Sequence, residues 1–326
     1  MSVTSCNREH DGWVRPSRSA VLLFVVMLCH SAFAQNGQVV QRAQEASTAT
    51  PSSALERIKR GEPLRLGYRT NSPPLSFAKD GRAEGYTVDL CRAAIALVAK
   101  QMQRQTPLQR KEVAIVYLPV TLENRMSKVA SGEIDMECGL TSNTASRAKV
   151  VDFSPMVLVT GTKIAVGTKS SLQNVQELAG HDVAAGKGTT NLRSLNRYAK
   201  ERGLKFNLIE TTDTKAAFTA VSQGKVVGAA LNEISALGWS HEQPDTAVRL
   251  LERYLSTEAV AISLPKHDPA FVRAFNAALS EVLVSGEAER IYQRWLGRAG
   301  LGLPLNQLTR EAFRVPIIYS VADELL

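Results

Sequence analysis

The first regular apolar pattern of the chain begins after Pro63, where LRLGYR predicts a short strand followed by a turn. Apolar residues then recur at helical spacing and predict an amphipathic helix over residues 88–100: Leu90, Ala93, Ala94, Leu97 and Val98. The next segment, VAIVYLPV, is a continuous apolar run of the kind found in strands buried on both faces of a parallel sheet. Strand, helix and strand in this order predict a βαβ unit.

A pattern of helix, glycine and strand occurs twice. In TLENRMSKVASGEIDMECGL, Met126, Val129 and Ala130 form an apolar helix face, Gly132 ends the helix, and a strand is expected over residues 134–138. In DTKAAFTAVSQGKVVGAAL the apolar helix face is formed by Ala217, Phe218 and Val221. Gly224 ends this helix, and a strand is expected over residues 226–231. Two lobes built on one plan would produce this recurrence.

The rest of the chain continues to alternate strands and helices. GTKIAVG predicts a strand, VQELAGHDVAAGKG a short helix and a strand, and TTNLRSLNRYAKERG a helix capped by Thr189 or Thr190. TEAVAISLP predicts a further strand, a helical pair broken at Gly286 follows, and the tail from Leu301 is expected to be irregular. The predicted fold class is therefore α/β, with mostly parallel sheets flanked by helices and ligand sites at strand carboxyl ends.

The first 34 residues have the pattern of a secretory signal peptide. Three arginines precede an apolar stretch at residues 20–29, which is well short of the roughly 20 apolar residues that a membrane-spanning helix needs. A small-residue cleavage pattern follows: Ala32, Phe33 and Ala34. We predict cleavage near Ala34, a periplasmic mature protein, and a flexible leader at residues 35–61. Cys29 leaves a lipid anchor as the second alternative.

Charge and cysteine content narrow the function classes. The chain carries a formal net charge of +8, but its basic residues are scattered without interleaved aromatics, which argues against nucleic acid as a partner and is compatible with an anionic ligand. Cys91 and Cys138 follow the predicted signal peptide, and neither stands in a metal-binding or CxxC spacing. They could pair, but two isolated small buried residues is the favoured interpretation. No metal or cofactor is expected.

Hydrogen-bonding side chains follow three of the predicted strands. Arg69 ends the first strand, and the segment GLTSNTASRAKVVDFS places Thr141, Ser142 and Arg147 after another. A third group, Thr189 and Thr190, stands where a Gly-rich turn opens a helix. An arginine fork matches a carboxylate, and hydroxyls with helix N-terminal amides add further donors. These groups predict a carboxylate clamp between two lobes.

The sequence resembles the extracellular solute-binding proteins of amino-acid ABC importers (family 3), and within them the glutamate/aspartate-binding branch. The resemblance covers about residues 62–300 and rests on LRLGYRTNSPPLSF, GYTVDLC, NRMSKVASGEIDMECGLTSNTASRAKVVDFS, GKGTTNL and SGEAERIYQRWL. It implies a monomeric two-lobed protein without catalytic activity that closes on its ligand and delivers it to a membrane permease. The implied lobes are residues 62–157 with 257–300, and residues 158–256, before a tail at 301–326. Hinges are expected at two strand crossovers: residues 157–161 and 257–261.

The resemblance also implies roles for individual residues. Arg147 matches the arginine that holds the ligand α-carboxylate, and Ser142, next to Thr141, matches the donor beside it. Thr189 and Thr190 match donors from the second lobe.

Two further arginines, Arg69 and Arg125, match the basic residues that address the side-chain carboxylate in the glutamate/aspartate branch. Asn232 stands where the family usually has the Asp that neutralises the ligand ammonium, so the ammonium would need the adjacent Glu233 or neutral acceptors. Three other positions are less polar or differ in type from that branch: Leu122, Leu140 and Thr214.

These departures keep other hypotheses open. One is the same fold binding a carboxylate that lacks an ammonium group. Another is a periplasmic dehydratase-like enzyme, for which Glu233 and Glu123 are the nearby acid or base candidates. A sensory ectodomain would need a membrane span after the lobes, and no such apolar stretch follows Gly300.

Overall fold

Two five-stranded sheets organise the part of the chain that the structure, a computed structural model, describes: residues 53–105 and 112–326. The predicted signal peptide and most of the predicted leader lie outside these residues. No helix within the described ranges is long and apolar enough to cross a membrane.

The strands of the first sheet are β1 (Leu64–Arg69), β5 (Ile115–Val120), β6 (Met136–Glu137), β7 (Asp152–Phe153) and β15 (Ser263–Leu264). Their order across the sheet is β5-β1-β6-β15-β7. Strand β1 runs parallel to β5 and β6, whereas β15 is antiparallel to β6 and β7. A hairpin sheet of three short strands follows β1: β2 (Asn71–Ser72), β3 (Ser76–Lys79) and β4 (Arg82–Glu84).

Helices cover this sheet with two apolar cores. The larger core includes α1 (Ala54–Lys59), α2 (Tyr86–Gln105), α8 (Pro269–Val284) and α9 (Glu287–Trp295), and the smaller one includes α3 (Arg125–Ala130) and α4 (Ala145–Ala148). Helices α2 and α8 pack on each other, and Leu90, Ile95, Phe271 and Phe275 are all buried. Gly286 adopts φ +84°, a left-handed conformation that suits glycine, and it separates α8 from α9 as the sequence predicts.

The strands of the second sheet are β9 (Thr162–Gly167), β10 (Asp182–Gly186), β11 (Asn207–Thr211), β12 (Gly228–Asn232) and β13 (Val248–Tyr254). Their order across the sheet is β11-β10-β12-β9-β13. Strand β10 is parallel to β11 and β12, and β9 is antiparallel to β12 and β13. A 3-10 turn (Val175–Leu178) and three helices accompany the sheet: α5 (Thr190–Arg202), α6 (Thr214–Ser222) and α7 (Glu233–Glu242).

The chain passes between the two sheets through two short strands, β8 (Leu158–Thr160) and β14 (Glu258–Val260). These strands pair antiparallel and form a small sheet of their own, with Glu258 opposite Thr160. The prediction of a two-lobed α/β fold joined by two strand crossovers is confirmed. The sheets are less parallel than predicted: β1 and β10 each have two parallel neighbours, and the other two strand pairs of each sheet are antiparallel.

Several local predictions need correction. Strand β5 lies at a sheet edge rather than in a doubly buried position, and its Val116 is 43% exposed. TEAVAISLP forms two short strands in different sheets, β14 and β15, because the crossover ends between them.

Both ends of the described chain are more regular than expected. Helix α1 occupies the last part of the predicted leader, where Asp268 accepts hydrogen bonds from the Ser53 hydroxyl at 3.0 Å and the Ala54 amide at 2.7 Å. The tail contains helix α10 (Gln307–Arg314), and its Val321 pairs with Thr144 in the first lobe.

Cys91 on α2 and Cys138 after β6 form a disulfide, so the interpretation as isolated buried residues is wrong. The sequence could not decide this, because pairing depends on how α2 packs on the sheet. The bond joins positions separated by 47 residues. In the chain-entropy model, closing a loop of that size stabilises a fold by about 4 kcal/mol.

We expect the double substitution Cys91→Ser, Cys138→Ser to lower the free energy of unfolding by up to about 4 kcal/mol, because the unfolded chain regains its loop entropy. Urea unfolding of the oxidised wild type and the variant measures the difference. Wild-type protein treated with a reductant should match the variant. Equal midpoints for oxidised wild type and variant would contradict a stabilising bond.

Candidate functional site

A pocket lies between the carboxyl-terminal strand ends of the two lobes. The first lobe lines it with six side chains: Arg69, Ser72, Leu122, Arg125, Leu140 and Arg147. Thr189, Thr190, Thr214 and Asn232 line it from the second lobe, and Ser142 and Glu258 lie where the first lobe meets the crossover. Most of the residues predicted from separate strand ends therefore share one pocket.

Three guanidinium groups dominate this pocket. Arg69 donates from Nη2 to the Asn71 side-chain oxygen at 3.0 Å, and Arg147 donates from Nη1 to the Ser142 carbonyl at 3.0 Å. Arg125 donates to the Thr141 hydroxyl at 2.6 Å. In the described part of the chain, no carboxylate lies within ion-pair distance of any of the three. Their remaining N–H groups are available to an anion.

The pocket holds more positive charge than its walls compensate. Burial, together with the charge of Arg125, lowers the pKa of Arg69 to about 10. Burial and the charges of Arg125 and Arg193 lower the pKa of Arg147 to about 9. Burial also lowers the pKa of Arg125. An anionic ligand would oppose each of these effects, since an opposite charge favours the protonated guanidinium.

The second-lobe threonines owe their positions to the start of α5. Thr189 is the N-cap: its hydroxyl accepts from the Leu192 amide at 3.1 Å and donates to the Gly186 carbonyl at 2.6 Å. Thr190 is the first helical residue, and its hydroxyl donates to Glu258 at 2.6 Å. The sequence predicted that one of the two threonines caps the helix, and the structure assigns that role to Thr189.

Four residues line the pocket without having been predicted from the sequence: Ser72, Asn191, Ser235 and Glu258. Glu258, at the start of β14, is the charged one. It is 1% exposed, and four hydroxyl groups donate to its carboxylate. The donors are Ser142 and Thr190 on Oε2 and Thr162 and Ser256 on Oε1. A single acid at the start of the apolar run TEAVAISLP was the available signal, since a buried acid needs partners.

The structure separates the two candidates for the ammonium partner. Asn232 lines the pocket, and its side-chain oxygen caps α7 by accepting from the Ile234 amide at 3.0 Å. Glu233 does not line the pocket: its carboxylate pairs with Lys163 at 3.0 Å and accepts from the Tyr254 hydroxyl at 2.5 Å. Glu233 is the first residue of α7, and its carboxylate is held by these two partners outside the pocket lining.

Thr141 also lies behind the pocket rather than in its lining. It is fully buried between Arg125 and Glu137, accepting from the first and donating to the second at 2.7 Å. Leu122, Leu140 and Thr214 line the pocket. Among the described residues, no group of three or more His, Cys, Asp or Glu side chains is arranged to hold a metal ion.

The lobes touch on both sides of the pocket. On one side Asn71 donates to Asp213 at 2.9 Å and its carbonyl accepts from the Trp239 indole at 3.0 Å. On the other side, Asp323 in the tail accepts from the Ser146 hydroxyl at 2.7 Å and pairs with Arg193. The structure therefore has the two lobes in contact around the site.

Comparison with known families matches this chain over residues 64–298 to the model described as bacterial extracellular solute-binding proteins, family 3. The glutamate/aspartate import solute-binding protein of Escherichia coli is 26% identical, covering 77% of this chain and 82% of that protein. The L-glutamate/L-aspartate-binding protein of Pseudomonas aeruginosa is 28% identical, covering 75% and 80%.

Among solved structures, an ancestral arginine-binding protein bound to arginine is similar, with a TM-score of 0.62 and 25% identity. The match covers 73% of this chain and all of that protein. The fold of this chain is thus that of amino-acid-binding proteins of known structure, while the identities are low enough for pocket residues to differ.

We expect Glu137→Gln to lower the free energy of unfolding by about 1–3 kcal/mol, because Thr141 loses a charged acceptor and buried Arg125 loses a compensating charge. Urea unfolding at pH 7 measures the change. Glu133→Gln is the matched control: this exposed acid pairs with Lys128 at the surface, and its loss should cost less than about 1 kcal/mol. Equal losses of unfolding free energy for the two substitutions would show that the contacts of Glu137 with Thr141 and Arg125 do not stabilise the fold.

Proposed function

This chain belongs to family 3 of the bacterial extracellular solute-binding proteins, and we propose that it is the periplasmic substrate-binding component of an ABC amino-acid importer that binds a glutamate- or aspartate-like amino acid. The observation that carries the proposal is the group of three arginines in one pocket without ion-pair partners among the described residues. The two relatives described above are named as glutamate- and aspartate-binding proteins, which supports an acidic amino acid as the ligand.

The charges of the site fit an acidic amino acid. Glu137 and Glu258 are the acids that offset the charge of buried Arg125. Three guanidinium groups against two carboxylates leave one positive charge, which a ligand with two carboxylates and one ammonium neutralises. Arginine as a ligand would instead add positive charge to the site.

In this proposal Arg147 holds the α-carboxylate through the bidentate geometry that a guanidinium offers. Arg69 and Arg125 address the side-chain carboxylate, and the start of α5 at Thr189 and Thr190 closes over the ligand. Arg125 already donates to the Leu140 carbonyl and the Thr141 hydroxyl, whereas the side chain of Arg69 donates to Asn71, so Arg69 contributes more of the ligand contacts.

The proposed delivery cycle uses the two crossovers as hinges. Residues 62–157 with 257–300 form the first lobe and residues 158–256 the second, and rotation about β8 and β14 opens the pocket. The ligand-loaded form then docks on a membrane permease. A signal peptide ending near Ala34 accounts for export.

A carboxylate without an amine is the second candidate, because Asn232 supplies no negative charge where an ammonium would need one. Both candidates are tested by a thermal-shift screen with glutamate, aspartate, glutarate, succinate, glutamine and arginine. A ligand at 100 times its dissociation constant raises the free energy of unfolding by about 2.7 kcal/mol. We expect shifts with glutamate or aspartate; shifts with arginine or glutamine alone would refute the proposal.

We expect Arg147→Ala to weaken binding of the ligand identified in the screen by more than tenfold, about 1.5 kcal/mol, because a charge-assisted bidentate contact is lost. Isothermal titration calorimetry measures the affinity. Lys149→Ala, which removes an exposed charge two residues away, is the control and should change it less than twofold. Unchanged affinity in the Arg147 variant would remove this arginine from the site.

Gly238→Ala tests closure without touching the pocket. A Cβ at Gly238 on α7 would lie 2.2 Å from the Pro73 carbonyl oxygen of the first lobe, so the lobes could not approach as they do here. Because alanine favours a helix by about 1 kcal/mol over glycine, stability without ligand should not fall. We expect at least fivefold weaker ligand binding by calorimetry at an unchanged or higher midpoint of thermal unfolding. Full affinity would contradict closure at this contact.

A further inference from the structure

Two residues predicted to donate to the ligand, Ser142 and Thr190, instead donate their hydroxyl protons to Glu258. A hydroxyl has one proton, so neither hydroxyl can also donate to a ligand. We propose that Glu258 forms the amine half of the ligand site, by orienting these hydroxyls as acceptors for the ligand ammonium and by supplying the negative charge that Asn232 lacks. The inference rests on the proposed function, since it specifies how an amino acid rather than a simple carboxylate is recognised.

The donors and acceptors of a carboxylate and a hydroxyl determine the direction of these hydrogen bonds. A carboxylate only accepts, whereas a hydroxyl has one proton to donate and two lone pairs to accept with. The Glu258 carboxylate therefore fixes the rotation of the Ser142 and Thr190 hydroxyls, and the lone pairs of both remain for the pocket that these residues line. An ammonium carries three donors and no acceptor, so it matches this arrangement, whereas a ligand carboxylate does not.

The position of Glu258 suits an α-amino acid. The α-carboxylate and the ammonium of such a ligand are attached to the same carbon, so their protein partners must be neighbours. Ser142 joins the two partners directly: its carbonyl accepts from Arg147 at 3.0 Å, and its hydroxyl donates to Glu258. An amino acid held by Arg147 through its carboxylate thus has its ammonium beside the Ser142 hydroxyl.

Charge supports the same assignment. Glu258 is the one carboxylate lining the pocket in the ranges that the structure describes, and no cationic side chain there lies within ion-pair distance of it. The alternative acid, Glu233, already pairs with Lys163 and lies outside the pocket lining. Glu258 is 1% exposed, and its direct hydrogen-bond partners are all hydroxyl groups, while Arg125 and Arg147 act on its charge only from beyond ion-pair distance.

The experiment compares glutamate with glutarate, which differs by the absence of the amine, on wild-type protein and on Glu258→Gln. We expect the wild type to bind glutamate at least tenfold more tightly than glutarate by calorimetry. The variant should lose at least nine-tenths of that preference through weaker glutamate binding, while its glutarate affinity stays within threefold. Retained glutarate binding also shows that the variant is folded.

Two further variants sharpen the result. Thr190→Val removes one oriented acceptor and should reduce the preference for glutamate at least threefold. Glu233→Gln is the matched acid-to-amide control and should leave the preference unchanged.

Failure of the inference and failure of the proposed function are separate outcomes. If wild-type protein prefers glutamate and Glu258→Gln keeps that preference, or loses both ligands equally, the amine assignment is overturned and the function stands. A wild type that binds glutarate as tightly as glutamate also overturns the assignment. A wild type that binds neither glutamate nor aspartate refutes the proposed function itself.

Discussion

The grouping of three like charges in one pocket, two of them buried and that of Arg147 half-buried, is the constraint on which the rest of the site depends. Arg69, Arg125 and Arg147 repel one another, and removing them from water adds to that cost, as their lowered pKa values show. Such an arrangement is unfavourable for stability alone, because unpaired buried charges destabilise a fold. It is favourable for binding, because guanidinium groups without carboxylate partners keep their N–H groups for an incoming anion.

Hydroxyl groups make this arrangement possible by standing between the opposite charges. Thr141 separates Arg125 from Glu137, and Ser142 separates Arg147 from Glu258. Direct ion pairs would occupy the N–H groups of the arginines and neutralise the positive charge of the pocket. The hydroxyl-rich stretch before Arg147 therefore has distinct structural tasks: Thr144 caps α4, and Ser146 binds the tail through Asp323.

The sequence predicted those parts of the fold that local pattern determines. Helix periodicity, the break at Gly286 and the recurrence of helix, glycine and strand led to the α/β class and the two lobes. Polar residues at strand ends led to the pocket, because parallel strands bring their carboxyl ends together.

Contacts between distant segments were not predictable: the Cys91–Cys138 bond depends on how α2 packs, and the edge position of β5 depends on strand order. The role of Glu258 was not predictable because three of its four hydroxyl partners come from distant segments of the chain.

The location of Glu258 on a crossover links the chemistry of the site to its proposed closure. Its carboxylate takes one hydroxyl from the first lobe, Ser142, one from the second, Thr190, and two from residues adjoining the crossovers. Rotation of the lobes away from each other would withdraw at least one of these donors from a carboxylate that burial makes costly to leave unsatisfied. Closure of the lobes therefore also completes the hydrogen bonds to Glu258. A ligand that binds the oriented hydroxyls then favours the closed form over the open one.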